Sequence, residues 1–194
     1  MSIIAVCGFP GVGKDTLADI LVEKFGYTKI SFAGIVKDIV SIIFDWDRKM
    51  LEGSTIESRE WREQIDPWWS KRLNLPMLSP RWILQQIGTN VFRDNFHQDI
   101  WIAALERKIK KFTGVVITDA RFDNEIDTIR DLGGLIIHLK NNNMPEWYKN
   151  GNSPPNNLHP SNWKWIHSKP DYIIENTGTI KDLEVKIINF LNNN

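Results

Sequence analysis

Nine residues near the start of this 194-residue chain constrain its fold more than any other stretch. Residues 8–16 read GFPGVGKDT, and Gly8, Gly13 and Lys14 satisfy the pattern G-x-x-x-x-G-K. The run before it, Ser2–Cys7 (SIIAVC), is short, apolar and largely β-branched, which predicts a buried strand. The run after it, Asp15–Phe25, sets Leu17, Ile20, Leu21 and Phe25 on one face and stops at Gly26, which predicts a helix. Gly8, Gly11 and Gly13 let backbone N–H groups turn inward without Cβ clashes. Together with a helix N-terminus, those groups form an anion nest. Lys14 adds a mobile cation that reaches the β- and γ-phosphates of a nucleotide. Gly8, Gly11, Val12, Gly13, Lys14, Asp15 and Thr16 are therefore the candidate ATP site. The alternative, a glycine turn that only caps a helix, fits poorly between a strand and a helix.

One position departs from the usual pattern. Asp15 stands where a Ser or Thr hydroxyl ordinarily ligates Mg²⁺. A carboxylate there holds the ion directly or through water, and Thr16 is placed to contact the α-phosphate. Small-molecule kinases tolerate this change better than motor or switch NTPases, so it tilts the reading toward a kinase acting on a small metabolite.

The rest of the chain alternates between strand and helix patterns. Strands are predicted over Tyr27–Phe32, Gly114–Asp119, Leu135–Leu139 and Asp171–Glu175. Helices are predicted over Ala33–Phe44 (with Ile35, Ile39, Ile42 and Ile43 apolar), from Pro80 toward Phe96, over Gln98–Phe112, over Asn124–Leu132 and over Thr179–Leu191. Pro80 sits as a first helical residue capped by Ser79. Asp45–Ser79 reads as short helices and loops, and the Asn-, Pro- and Trp-rich Asn141–Pro170 as a long excursion. The Asn tracts read as compositional bias. Such alternation predicts an α/β fold on a mainly parallel sheet, with its active site at the carboxyl ends of the strands.

Composition excludes several classes. With 24 Lys+Arg against 24 Asp+Glu the net charge is zero, which speaks against a dedicated nucleic-acid or anionic-membrane binder. One Cys rules out an internal disulfide and a Cys-based zinc cluster. The sequence MSIIAVCGFPG lacks a basic segment and a long apolar run, and no stretch approaches the roughly 18 apolar residues of a spanning helix, so a cytoplasmic protein is expected. The nine Trp are the oddity: they crowd Trp46–Trp101 and Trp147–Trp165.

Several further groups carry candidate chemistry. Lys37, after the second strand, lies close in topology to the phosphate loop; its alternative is a solvated surface lysine. Gln85–Asn90 puts amides and a hydroxyl into an apolar helix, where Gln86, Thr89 and Asn90 suit the edge of a base or, alternatively, a solvent face. Asp119 and Arg121 follow the strongest buried strand. Asp119 is placed as a carboxylate facing metal or acceptor, Arg121 clamps a phosphate, and Glu125 orients Arg121; the alternative is a strand-end salt bridge. Most Trp residues suit core packing, and Trp101 is the one expected to touch a ligand. The 141–170 excursion reads as a lid, with Lys140, Lys149, Lys164 and His159 as its candidate phosphate contacts.

The order of these segments resembles the deoxynucleoside monophosphate kinases of phages and large DNA viruses, within the P-loop nucleotide kinases. The matching runs are GKDTLADIL, AGIVKDIV, LQQIGTNVFRDNF with Trp101, ITDARFDNEID, GGLIIHLK and DYIIENTGTIKDLEVKI. The resemblance implies a three-layer P-loop kinase sandwich with a five-stranded, mainly parallel sheet. The core would be residues 1–44, 113–140 and 171–194, with a helical acceptor-binding insertion at 45–112 and a lid at 141–170. It implies that Gly8–Thr16 binds ATP with Mg²⁺ and that Lys37, Gln86, Thr89, Asn90, Trp101, Asp119, Arg121 and Glu125 line a site for a deoxynucleoside monophosphate. Lys14 and Arg121 would then be the catalytic cations. An acceptor-phosphate arginine is expected among Arg59, Arg62 and Arg72. Exposed helix faces permit a homodimer, and a viral origin would place the work in the host cytoplasm. The alternatives are the same chemistry on phosphomevalonate or dephospho-coenzyme A, a nucleotide-binding switch, and a DNA-associated ATPase; neutral charge disfavours the last, and the guanine-reading N-K-x-D of a switch is absent.

Overall fold

A computed structural model describes residues 1–158 and 162–193. Contacts divide the chain into two compact units, Met1–Ser31 with Arg107–Asn194, and Phe32–Glu106. The first, the core unit, carries the whole sheet. Its strands are β1 (Ser2–Cys7), β2 (Thr28–Ile30), β3 (Gly114–Ile117), β4 (Leu135–Lys140) and β5 (Tyr172–Glu175), in the order β2-β3-β1-β4-β5. All four pairings are parallel. β1 is central: Ile4 lies opposite Val116 on one side and Leu135 on the other. Its residues Ile3–Cys7 are all buried, as expected of a strand covered on both faces.

The helices of this unit follow from right-handed crossovers. The chain leaves β1 through α1 (Lys14–Phe25) toward β2, and leaves β3 through α8 (Asp123–Asp131) across β1 toward β4. The two crossings run in opposite directions, so the two helices cover opposite faces. α10 (Ile180–Asn192) packs against α1, burying Leu183, Ile187 and Phe190. The expected α/β sandwich on a five-stranded sheet is thus present, and the sheet is parallel throughout. The excursion after β4 contains α9 (Glu146–Lys149) and a 3-10 helix over Lys164–His167. No helix among the described residues is long and apolar enough to cross a membrane.

The second unit is helical: α2 (Phe32–Phe44), α3 (Arg48–Glu52), α4 (Ile56–Glu63), α5 (Pro67–Leu73), α6 (Pro80–Gln85), a π-helix over Gln86–Asp94 and the start of α7 (Ile100–Ile109). Most of the Trp excess here is packing. Phe44 stacks on Trp46 at 4.6 Å and meets Trp69 edge-on at 4.8 Å, while Trp46 donates its indole N–H to Asp66 at 2.9 Å.

Several expectations shift. The strand expected over Tyr27–Phe32 is shorter because the Tyr27 N–H closes α1 on the Leu21 carbonyl and Phe32 already begins α2. The face of α2 is rotated: Phe32, Val36, Val40 and Phe44 are buried at four-residue spacing, whereas Ile42 and Ile43 are 82% and 54% exposed. The helix from Pro80 is capped by the Ser79 hydroxyl, yet from Gln86 it widens into a π-helix. The two contact units divide at Ser31 and Glu106, with α2 in the helical one.

Candidate active site

The geometry of residues 8–16 follows from two glycines. Gly13 sits at φ +100°, a left-handed conformation that costs an L side chain about 1–2 kcal/mol. A Cβ at Gly8 would stand 2.6 Å from the Leu139 carbonyl oxygen, so only glycine lets the loop pass this close to β4. No side chain caps α1, which leaves the N-terminal amides of the helix for a bound anion. Two asparagines outside the loop fix its carbonyls. Asn176, just past β5, donates to the Val12 carbonyl at 2.9 Å, and Asn141, just past β4, to the Gly11 carbonyl at 3.4 Å. From the sequence, Asn141 belongs to an Asn tract that reads as bias and Asn176 carries no mark of its own; their position just past strand ends is the signal that singles these two out.

Lys14 folds over the loop and donates to the Gly8 and Phe9 carbonyls at 2.8 and 2.9 Å. Burial, and after it the field of Arg121, lowers its pKa to about 8. A small cavity of about 40 Å³ is lined by Cys7, Gly8, Pro10, Lys14, Thr118, Ala120, Arg121, Asn162 and Trp165. Two cations therefore converge on one anion-sized space at the carboxyl ends of β1 and β3. Cys7 is not a nucleophile there: its thiol faces the Ala120 carbonyl at 3.6 Å, and burial pushes its pKa up to about 12.

Glu125 acts on Arg121 through the backbone. Its Oε2 accepts from the Arg121 and Phe122 N–H groups at 2.8 and 3.2 Å, which caps α8 and fixes the turn after β3 while leaving the Arg121 side chain exposed. Asp119 lies two residues past the end of β3.

Asp15 is an exposed carboxylate, bound by Lys29 of β2 at 2.9 Å through Oδ1. Thr16 is half-buried in the first turn of α1. No group of three or more His, Cys, Asp or Glu among the described residues is placed to hold a metal. Mg²⁺, however, needs only one or two carboxylates when phosphates and waters complete its shell, and Asp15 fits that use.

Phe9 was not singled out from the sequence. It is 4% exposed and meets Trp147, Tyr148 and Trp165 edge-on at 5.7, 5.2 and 5.1 Å. The segment expected to be a lid is thus built onto the phosphate loop by an aromatic cluster, and His138 of β4 extends it, edge-on to Trp165 at 5.0 Å. The Ser168 hydroxyl donates to the Trp165 carbonyl at 2.6 Å, so the His138 Nε2 at 3.0 Å is the donor to Ser168. Burial lowers the His138 pKa to about 4. Of the proposed lid cations, Lys140 lies 5.8 Å over the Tyr148 ring, Lys149 pairs with Glu146 at 3.2 Å, and His159 lies outside the described residues. Beside the loop, Lys140, Asn141, Asn142, Met144, Tyr148, Lys149, Glu175 and Thr177 line a larger cavity of about 360 Å³.

The remaining candidates lie in the helical unit. Lys37 pairs with Glu52 at 2.6 Å, and Arg48 reaches the same carboxylate and Asp38. Burial works to raise the Glu52 pKa, but the bonds from Lys37 and Arg48 outweigh it and hold it low. Gln86, Thr89 and Asn90 sit on the π-helix, where Asn90 donates to the Gln86 side chain at 2.7 Å. Trp101 is 4% exposed and its indole N–H donates to the Gly88 carbonyl at 2.7 Å, a position different from the open ring face expected of it. Among the arginines, Arg62 is set apart: its Nε is buried with no hydrogen-bond partner among the described residues, and burial followed by the field of Arg81 lowers its pKa. Arg81, second residue of α6, was not among the sequence candidates.

A family model for deoxynucleotide monophosphate kinase matches residues 63–187. A putative deoxynucleotide monophosphate kinase of Acanthamoeba polyphaga mimivirus is 27% identical, over 100% of this chain and 97% of its own length. The deoxynucleoside-5'-monophosphate kinase of Escherichia phage T5 is 26% identical over 71% of this chain and 77% of its own. The corresponding enzyme of Enterobacteria phage T4 is 21% identical over 98% and 99%. Among solved structures, shikimate kinase from Aquifex aeolicus superposes with a TM-score of 0.51 at 16% identity, covering 100% of this chain and 97% of its own, which supports the P-loop kinase fold. The family match spans both the π-helical stretch and the Asp119–Glu125 turn, and with it the chain belongs to the deoxynucleotide monophosphate kinase family.

Proposed function

We propose that this chain transfers the γ-phosphoryl group of ATP to a deoxynucleoside monophosphate, forming the diphosphate and ADP. The observation that carries this reading is the convergence of Lys14 and Arg121 on the small cavity beside the glycine loop. Bound ATP supplies the transferred group, with Mg²⁺ neutralising its phosphates. The chain's part is placement and charge. The loop amides hold the donor phosphates, and Lys14 exchanges its two loop carbonyls for phosphate oxygens. Arg121, held by its Glu125-fixed turn, stabilises the charge that develops on transfer. Asp15, bound by Lys29, would hold Mg²⁺ directly or through water, and Thr16 would contact the α-phosphate. An acceptor phosphate oxygen is already anionic, so no general base is required: it bonds to the γ-phosphorus as the bond to the β–γ bridging oxygen breaks.

The cavity of about 360 Å³ beside the loop suits the donor's nucleoside, with the Tyr148 ring and the Asn141 and Asn142 amides in its wall. For the acceptor, Lys37, Gln86, Thr89 and Asn90 of the helical unit form the binding set, and Arg62 with Arg81 supplies the cations suited to its phosphate. These partners are small anions, which the neutral net charge suits; no nucleic-acid or membrane partner is part of the reading. The viral relatives favour the host cytoplasm as the place of work. An ADP-release assay across the four deoxynucleoside monophosphates, phosphomevalonate and dephospho-coenzyme A tests the proposal. Turnover confined to the nucleotides is expected, and turnover with either other acceptor, or with none, would refute it.

A further inference from the structure

Trp101 has one polar atom, and that atom is committed. Its Nε1–H donates to the Gly88 carbonyl at 2.7 Å, its ring lies 5.2 Å from Phe92, and 4% of the residue is exposed. Gly88 and Phe92 both belong to the π-helix Gln86–Asp94. Such widened turns are rare and need outside support, because their carbonyls leave the α-helical ladder. A second side chain gives similar support: the Asn95 amide donates to the Asn90 carbonyl. Two of the carbonyls on this stretch are therefore bracketed by side chains from beyond it.

We propose that Trp101 is a positioning residue whose indole N–H, bonded to the Gly88 carbonyl, holds residues 86–94 in the π-helical form that presents Gln86, Thr89 and Asn90 to the monophosphate. This rests on the reading that those three residues face the acceptor. A side chain that stacks on a base needs an open ring face; Trp101 has its ring enclosed and its N–H engaged. Without that N–H the widened turn can slip to α-helical spacing. A slip of one residue rotates the side chains that follow by about 100°, which would aim Thr89 and Asn90 elsewhere while the unit stayed folded.

The test replaces Trp101 in the full chain by 3-benzothienylalanine, which keeps the shape and exchanges the N–H for sulfur. Trp101→Phe, Gln86→Ala and Asn90→Ala are measured beside it. The expected result is a KM for the monophosphate raised about tenfold in the sulfur variant, the scale of one lost hydrogen bond to a buried acceptor. The KM for ATP should not move, and the preference among the four monophosphates should narrow. A general loss of packing would move both KM values and the melting temperature together, which would overturn the proposal. A sulfur variant with wild-type KM beside Gln86→Ala or Asn90→Ala enzymes with raised KM would also overturn it, leaving the acceptor reading intact. If neither Gln86→Ala nor Asn90→Ala moves that KM, the acceptor reading fails and the role given to Trp101 falls with it.

Discussion

The phosphate loop and the π-helical stretch are both braced from outside, but they are specified differently. In the loop, Asn141 and Asn176 hold the Gly11 and Val12 carbonyls; in the π-helix, Trp101 and Asn95 hold those of Gly88 and Asn90. The loop, however, already has its shape written locally. Gly13 stands at φ +100° and Gly8 passes too close to β4 for any side chain. The π-helix has no such local requirement: a Cβ on Gly88 would meet Val36 methyls at 3.6 and 3.7 Å, an ordinary contact. One region is fixed by backbone chemistry and trimmed by its neighbours; the other depends on its neighbours for its form.

The largest effect tests the loop's chemistry. Lys14→Met should lower kcat by about 10³-fold while the protein still melts cooperatively, since one preorganised charge in a water-poor site is worth about that much. Steady-state ADP release with a thermal melt checks both halves. A kcat within a factor of a few of wild type would remove Lys14 from the mechanism.

Next in size is the aromatic cover built onto the loop. His138 is enclosed and neutral, its pKa lowered from 6.5 to about 4. Between those values the unfolded chain takes up a proton that the folded chain refuses, so stability falls as pH drops from 6.5 toward 4. The loss is on the order of 3 kcal/mol for such a shift. His138→Gln should flatten that part of the melting-temperature profile, and an unchanged slope would show that the acid sensitivity lies elsewhere.

Two glycine substitutions then probe the contrast directly. Gly13→Ala forces a side chain into a left-handed residue and toward Asn176, whose amide nitrogen would be 2.5 Å away. It should cost about 1–2 kcal/mol of stability and weaken ATP binding more than monophosphate binding. Gly88→Ala should do the least: a non-strained helical site gains propensity, so the melting temperature should stay level or rise, by up to about 1 kcal/mol of stability. If Gly88→Ala destabilised as much as Gly13→Ala, the π-helix would be locally specified after all.

This contrast also explains what the sequence made legible. The sheet, α1 and the Ser79-capped start of α6 could be read because apolar runs, glycine stops and a Ser-Pro cap act over a few residues. Gly8–Lys14 and the Asp119–Glu125 turn were readable for the same reason. The face of α2 was misplaced because four-residue spacing from Phe32 competes with an equally apolar isoleucine row, and only packing decides between them. The widening at Gln86, the role of Asn141 and Asn176, the ring cluster on Phe9 and the field of Arg81 on Arg62 all depend on residues distant in sequence. No local pattern carries them.

The central claim is that the glycine loop and its two cations move a phosphoryl group onto a deoxynucleoside monophosphate. Following the γ-phosphoryl label of ATP in the presence of each monophosphate measures that most directly. The account predicts labelled deoxynucleoside diphosphate formed in step with ADP for at least one base, and almost none with Lys14→Met. ADP released without any labelled diphosphate, or no reaction with all four monophosphates, would contradict it.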